Sequence, residues 1–218
     1  VAPSRGLGDV YKRQAFICQN SWGDNFGENG FFYISYYDTN IGTHNVVYTD
    51  IENTDNYDHI YQSDLCGWVG QLGYNKDSIY GANVFTAEGN ETLKAASFYA
   101  TGKDSQYELY VVRQFEDETS LEKMIPVASG KLGNAGYYTV DFNQGIEVDA
   151  GERYAVVLYI ITPGSVHPMA IEYAADEATE NVDLDDGESY ISANGSKWVS
   201  VDTVEKSNLC IKAFSDNR

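Results

Sequence analysis

Residues able to do covalent or metal chemistry are few in this sequence and widely spread. The cysteines are Cys18, Cys66 and Cys210, and the histidines are His44, His59 and His167. An odd number of cysteines cannot pair fully within a monomer, which excludes a disulfide scaffold. A thiol nucleophile needs an imidazole beside it to accept its proton. No zinc-ligand spacing, phosphate loop or dinucleotide fingerprint appears. Oxygen ligands are more abundant, because Asp176, Glu177, Glu180, Asp183, Asp185, Asp186 and Glu188 crowd one stretch. Calcium takes about six to eight oxygens. The cluster reads either as a structural calcium site or as a solvated acidic loop, and its spacing fits no EF-hand. No other cofactor is expected. Saccharide binding needs exposed aromatic platforms with amide or carboxylate partners around them. Trp198 and Tyr190, with Asn194 close by, offer one such set, and Trp68 with Tyr74 a second pair. The same aromatics also read as core or interface.

These side chains must be held by many short strands. Runs of strand type fall near 81–87, 92–101, 107–114, 137–142, 153–162, 169–173, 189–192, 198–201 and 209–214. Gly/Asn turn clusters such as Gly133-Asn134-Ala135-Gly136 and Ala193-Asn194-Gly195 separate them. The fold class is mainly β, an antiparallel sandwich of jelly-roll type. Residues 153–162 are nearly continuous apolar, so a central strand buried on both faces is expected there. The one helical candidate is 120–125. Ahead of this region lie strand-like runs at 15–18 and 31–37, and a third at 45–48.

The chain has 218 residues with 33 acidic against 14 basic side chains, a formal charge of −19. Such a surface repels phosphate backbones, so nucleic-acid binding is excluded as a function class. The longest apolar run, 154–161, is far shorter than the roughly 18 residues a helical membrane span needs. Residues 1–14 are basic where the rest is acidic, and Asp9 to Gln14 is what GAT GTG TAT AAG AGA CAG encodes. That string resembles the end of a transposase sequencing adapter, so 1–14 is read as an adapter artefact or a disordered tail. The remaining boundaries are expected at 15–52 for a first segment, 53–60 for a linker and 61–218 for the sandwich.

Between the first two strand-like runs stand Asn20-Ser21-Trp22-Gly23, then Gly27, Gly30 and Phe31. This segment resembles the last active-site motif of papain-like cysteine proteases. The one departure is Phe26, where the family usually has a second Trp. Residues from about 61 onward resemble the lectin-like domain that follows the peptidase domain in clostridial surface and secreted enzymes of this type. Gly67-Trp68-Val69, Leu72-Gly73-Tyr74, Ala82-Asn83-Val84-Phe85 and Cys210-Ile211-Lys212-Ala213-Phe214 carry that likeness.

The resemblance implies that Asn20 orients a catalytic imidazole through its side-chain oxygen and that Trp22 shields that bond from water. It also implies that the nucleophilic Cys and the His precede Asn20. Cys18 is too close to Asn20 to match the nucleophile, His44 follows it in the wrong order, and His59 falls in the linker. The chain alone is therefore expected to be inactive, as the C-terminal part of a secreted bacterial peptidase. Its expected partners are the missing N-terminal half of the peptidase domain, a protein substrate and cell-wall carbohydrate. The alternative is a stand-alone cell-surface carbohydrate-binding or adhesion module.

Overall fold

A computed structural model describes residues 15–42, 46–49, 51–185, 188–201 and 205–218. The chain divides into two compact units, Val1–Glu52 and Asn53–Arg218. In the first, β1 (Ala15–Gln19) pairs antiparallel with β2 (Phe31–Ser35), Ala15 lying opposite Ser35 and Gln19 opposite Phe31. The third strand expected at 45–48 does not form over 46–48, and Asn45 lies outside the described residues. Val46, Val47 and Tyr48 are all strongly exposed. Intrinsic β preference without a neighbouring strand to pair with does not hold a strand.

The second unit is an antiparallel sandwich. Its larger sheet has six strands in the order β13 (Val199–Ser200), β12 (Ser189–Ser192), β5 (Ser78–Thr86), β10 (Arg153–Ile161), β7 (Ser105–Val112) and β8 (Ile125–Leu132). The four-stranded sheet runs β3 (His59–Tyr61), β15 (Ile211–Asn217), β6 (Glu91–Ala100), β9 (Gly136–Val148). A three-stranded sheet adds β14 (Asn208–Leu209), β11 (Met169–Glu172) and β4 (Gly70–Leu72). The core joins all three. Leu109, Val156 and Leu158 come from the first sheet, Leu93, Phe98 and Ile211 from the second, and Met169 and Leu209 from the third.

Strand β10 is buried on both faces, as its apolar run predicts. Tyr154, Val156, Leu158 and Ile160 enter the main core. Ala155 and Val157 face the other way, into a smaller cluster with Phe115 and Leu121. The larger sheet is thus half roofed on its outer side by the segment that follows β7.

Two expectations are corrected, and one strand is added. The helical candidate at 120–125 is only a 3-10 turn, Glu118–Glu122, capped by the Asp117 side chain. Pro126 drives Ile125 into extended backbone and stops it. Strand β8 then begins across Pro126, which an edge strand tolerates because it need not donate there. A bulge at Val127 accommodates it, with Leu109 opposite Ala128 and Tyr110 opposite Pro126. Last, His59 and Ile60, expected in the linker, belong to β3, where Ile60 pairs with Phe214 and His59 with Ser215.

Candidate functional site

The Asn20 loop is built by residues that tolerate left-handed backbone. Gly23, Gly27, Asn29 and Gly30 all have positive φ, which lets eleven residues (20–30) turn back onto β2. The Asn20 amide donates to the Gly30 carbonyl at 2.9 Å, and the Glu28 amide to the Phe31 carbonyl at 2.8 Å. At Gly27 a Cβ would lie 2.2 Å from the Phe31 carbonyl oxygen. Gly27→Ala should therefore open this turn, read as lost hydrogen-exchange protection of the Glu28 amide while the sandwich amides are unchanged.

Within the loop, the Asn20 side-chain oxygen accepts from the Trp22 amide. Its side-chain nitrogen is buried and has no hydrogen-bond partner. A fixed amide of this kind, with a carbonyl lone pair to spare, has the chemistry needed to hold an imidazole N–H. The indole of Trp22 is 76% exposed and meets Phe26 edge-on at 5.0 Å. Phe26 in turn meets Phe32 at 5.9 Å. Phe26 thus sits between the two other rings.

On the sandwich, Trp198 and Tyr190 are half-buried against the outer-face cluster. Tyr190 donates to Glu188 at 2.7 Å and packs on Phe115 at 5.8 Å. Trp198 lies edge-on to Tyr80 at 6.2 Å. Asn194 is exposed, but its side-chain oxygen accepts from the Ser196 and Lys197 amides at 3.2 Å, closing its own turn. Sequence reasoning missed Tyr80 and Tyr159, which stack at 4.2 Å beside Trp198.

The acidic stretch organises itself locally. Asp176 accepts from the Ala178 amide and Asp183 from the Asp185 amide, both at 3.0 Å, and Glu188 pairs with Arg153. Asp186 lies outside the described residues, as does His44. Among the described residues no group of three or more His, Cys, Asp or Glu is placed to hold a metal ion. The three thiols are unpaired. Cys210 is buried, which pushes its thiol far up and makes it inert. At Cys66, desolvation and the Glu172 carboxylate also push the thiol up. His59 contacts Asn217 at 3.0 Å and Glu88 at 3.5 Å.

The architecture is that of an antiparallel β-sandwich domain preceded by a separate small unit. Residues 60–215 match the family model described as "Lectin like domain", and the chain belongs to that family. Among solved structures it is similar to the clostridial cysteine protease Cwp84 after propeptide cleavage, with 24% identity and a TM-score of 0.75. That match covers 94% of this chain and 52% of the other. A structure of the cysteine protease and lectin-like domains of Cwp84, a surface layer associated protein of Clostridium difficile, matches with 24% identity and a TM-score of 0.71. It covers 94% of this chain and 46% of that one. At this identity the likeness shows the fold, and the chain spans about half the length of the chains it matches. No curated protein sequence matches it significantly.

Proposed function

We propose that this chain is the C-terminal part of a secreted or cell-surface papain-like cysteine peptidase with an appended lectin-like domain. Asn20 would orient the imidazole of an upstream His that serves an upstream thiolate, and Trp22 would shield that contact. The observation that carries the reading is the extent of the structural match. A 94% cover leaves only about 13 of 218 residues unmatched, so the match extends well upstream of residue 60. The loop's fixed amide, whose side-chain oxygen keeps a second lone pair beside its bond from the Trp22 amide, supports the same role. Partners of this enzyme would be a protein substrate and cell-wall carbohydrate. Among the described residues no helix is long and apolar enough to cross a membrane.

The test is to recover the coding sequence upstream of Ala15 by long-read sequencing and express the extended chain. A Cys- and His-containing catalytic segment should give thiol-dependent peptidase activity. Asn20→Ala should then lower kcat/KM at least tenfold, a fraction of the roughly 10²–10⁴-fold that a positioned acid–base group contributes. Its pH profile should shift with it, which mere loosening of the loop would not produce. An intact upstream gene without those residues overturns the reading.

A second reading, a stand-alone surface carbohydrate-binding or adhesion module, is favoured by the family match being confined to the sandwich. A start codon and signal peptide directly before Ala15 would support it.

A further inference from the structure

We propose that the open half of the outer face of the six-stranded sheet binds a neutral saccharide, with Tyr159 as its platform and Glu108 as its principal hydrogen-bond acceptor. The site deepens the carbohydrate-partner reading above and rests on it, while standing apart from the catalytic role given to Asn20. Its basis is strand register. Ser192 lies opposite Tyr80, Tyr80 opposite Tyr159, Tyr159 opposite Glu108, and Glu108 opposite Ser129. Residues directly opposite share a face of the sheet, so these five form one row across five strands. Two residues further along each strand, Gln106, Ile161 and Lys131 form part of the next row. In the other direction Tyr110, Val157 and Ala82 run under the roof made by Phe115 and Leu121. The roof therefore reaches Tyr80 at one side of the row and leaves Tyr159 and Glu108 outside it.

The uncovered half holds an open cleft of about 390 Å³, lined by Gln106, Glu108, Ser129, Lys131, Tyr159 and Ile161 among others. Such a volume falls within the roughly 300–1,000 Å³ of small-ligand sites. Tyr159 is stacked on Tyr80 with planes 21° apart, and Trp198 abuts Tyr80 edge-on, so the platform is braced rather than free. Tyr110 donates to Glu108 Oε2, which holds the carboxylate in place while the residue stays exposed.

The lining selects the ligand. The negative face of a tyrosine ring attracts the C–H groups on the apolar face of a pyranose. Sugar hydroxyls both donate and accept, and the cleft offers an acceptor in Glu108, a donor in Lys131, and both functions in Gln106 and Ser129. Lys131 is itself paired with Asp104 at 3.4 Å, so it does not make a free positive site for an anion. With a chain charge of −19, phosphate, sulfate and uronate ligands are repelled.

The test applies the chain to an array of neutral glycans ending in glucose, galactose, mannose, N-acetylglucosamine or N-acetylgalactosamine, with sulfated and sialylated glycans alongside. The strongest binder is then titrated calorimetrically against the wild type, Glu108→Gln, Tyr159→Ala and Trp68→Ala. At least one neutral glycan should bind. Loss of a hydrogen bond to a charged group predicts at least about tenfold weaker binding for Glu108→Gln, with an unchanged Tm because the residue is exposed. Tyr159→Ala should abolish binding, and Trp68→Ala should leave it intact. The proposal is overturned if no neutral glycan binds at millimolar concentration, or if only charged glycans bind. It is equally overturned if Glu108→Gln binds like the wild type, or if binding is lost in Trp68→Ala instead.

Discussion

Glu91→Ala should lower the Tm of the sandwich by about 10 °C or more. Glu91 is completely buried on β6 and is the focus of four hydrogen bonds. Tyr61 donates its hydroxyl to both carboxylate oxygens at 2.8 and 2.9 Å, Ser215 donates at 2.5 Å, and the Gly89 amide at 2.7 Å. Removing the carboxylate strands the two buried hydroxyls of Tyr61 and Ser215, along with the half-buried Gly89 amide, at roughly 1–3 kcal/mol each. For a domain of this size each kcal/mol moves Tm by about 2–4 °C. Glu91→Gln keeps the shape but places an amide donor against these donors, so it should fall between wild type and Ala.

The same cluster fixes a pH window. Burial pushes the Glu91 carboxyl up, but the bonds from Ser215, Tyr61 and Gly89 outweigh it and hold the group below its ordinary value. A carboxyl depressed in the fold stabilises above its unfolded value, about 4.3, and loses that contribution as pH falls through the lower folded value. His59 runs the other way. Its bond to Asn217 raises it most, against partial desolvation, and the Glu91, Glu88 and Asp58 carboxylates add to the rise. That contribution is full below about pH 6.5 and disappears as pH climbs past the raised value. Melting curves from pH 3 to 9 should peak between these limits. Glu91→Ala should flatten the acid side, and an acid limb unchanged in that variant would refute the assignment.

Asn83→Ala should cost nearly as much. Asn83 is buried on β5, in the larger sheet, and its amide donates to the carbonyls of Leu209 and Ile211, both at 2.9 Å. Its oxygen accepts from Ser189 at 2.8 Å. One side chain therefore clamps the junction where β14 ends and β15 begins, on both sides of Cys210. Alanine leaves two dry carbonyls and a hydroxyl without their partner, a loss of about 2–4 kcal/mol. Hydrogen exchange should quicken first at the Lys212 and Ala213 amides. Equal protection there, with an unchanged urea midpoint, would show that the clamp is not needed.

Patterning alone made much of this fold legible. The apolar run of β10 announced a strand covered on both sides, and Ser189–Ser192 was bounded to the residue by its turns. In the first unit, Gly23, Gly27 and Gly30 marked the loop because each needs a left-handed backbone. Other features were hidden for physical reasons. Pro126 and the Ser129-Gly130-Lys131 stretch masked β8, whose bulge has no local signature. Acidic neighbours made His59 and Ile60 look like linker, although pairing with β15 makes them strand. Glu91 and Asn83 read as ordinary turn and strand polar residues, because all their partners except the Gly89 amide lie 30 or more residues away. The Tyr80–Tyr159–Glu108 row was invisible for the same reason: alternation shows which residues share a face within one strand, and only register shows which strands meet.

The position of β15 bears on how the domain is made. This strand is the last of the sandwich in sequence, yet it fills the middle of its sheet, between β3 and β6. During synthesis β6 keeps a bare edge, and Glu91 and Asn83 lack Ser215 and the Leu209 and Ile211 carbonyls, until β15 has left the ribosome. Closure therefore waits for the whole domain, and long-range pairing of this kind is slow. A chain cut before β15 is left with an open β6 edge, a template for association and a target for quality-control proteases.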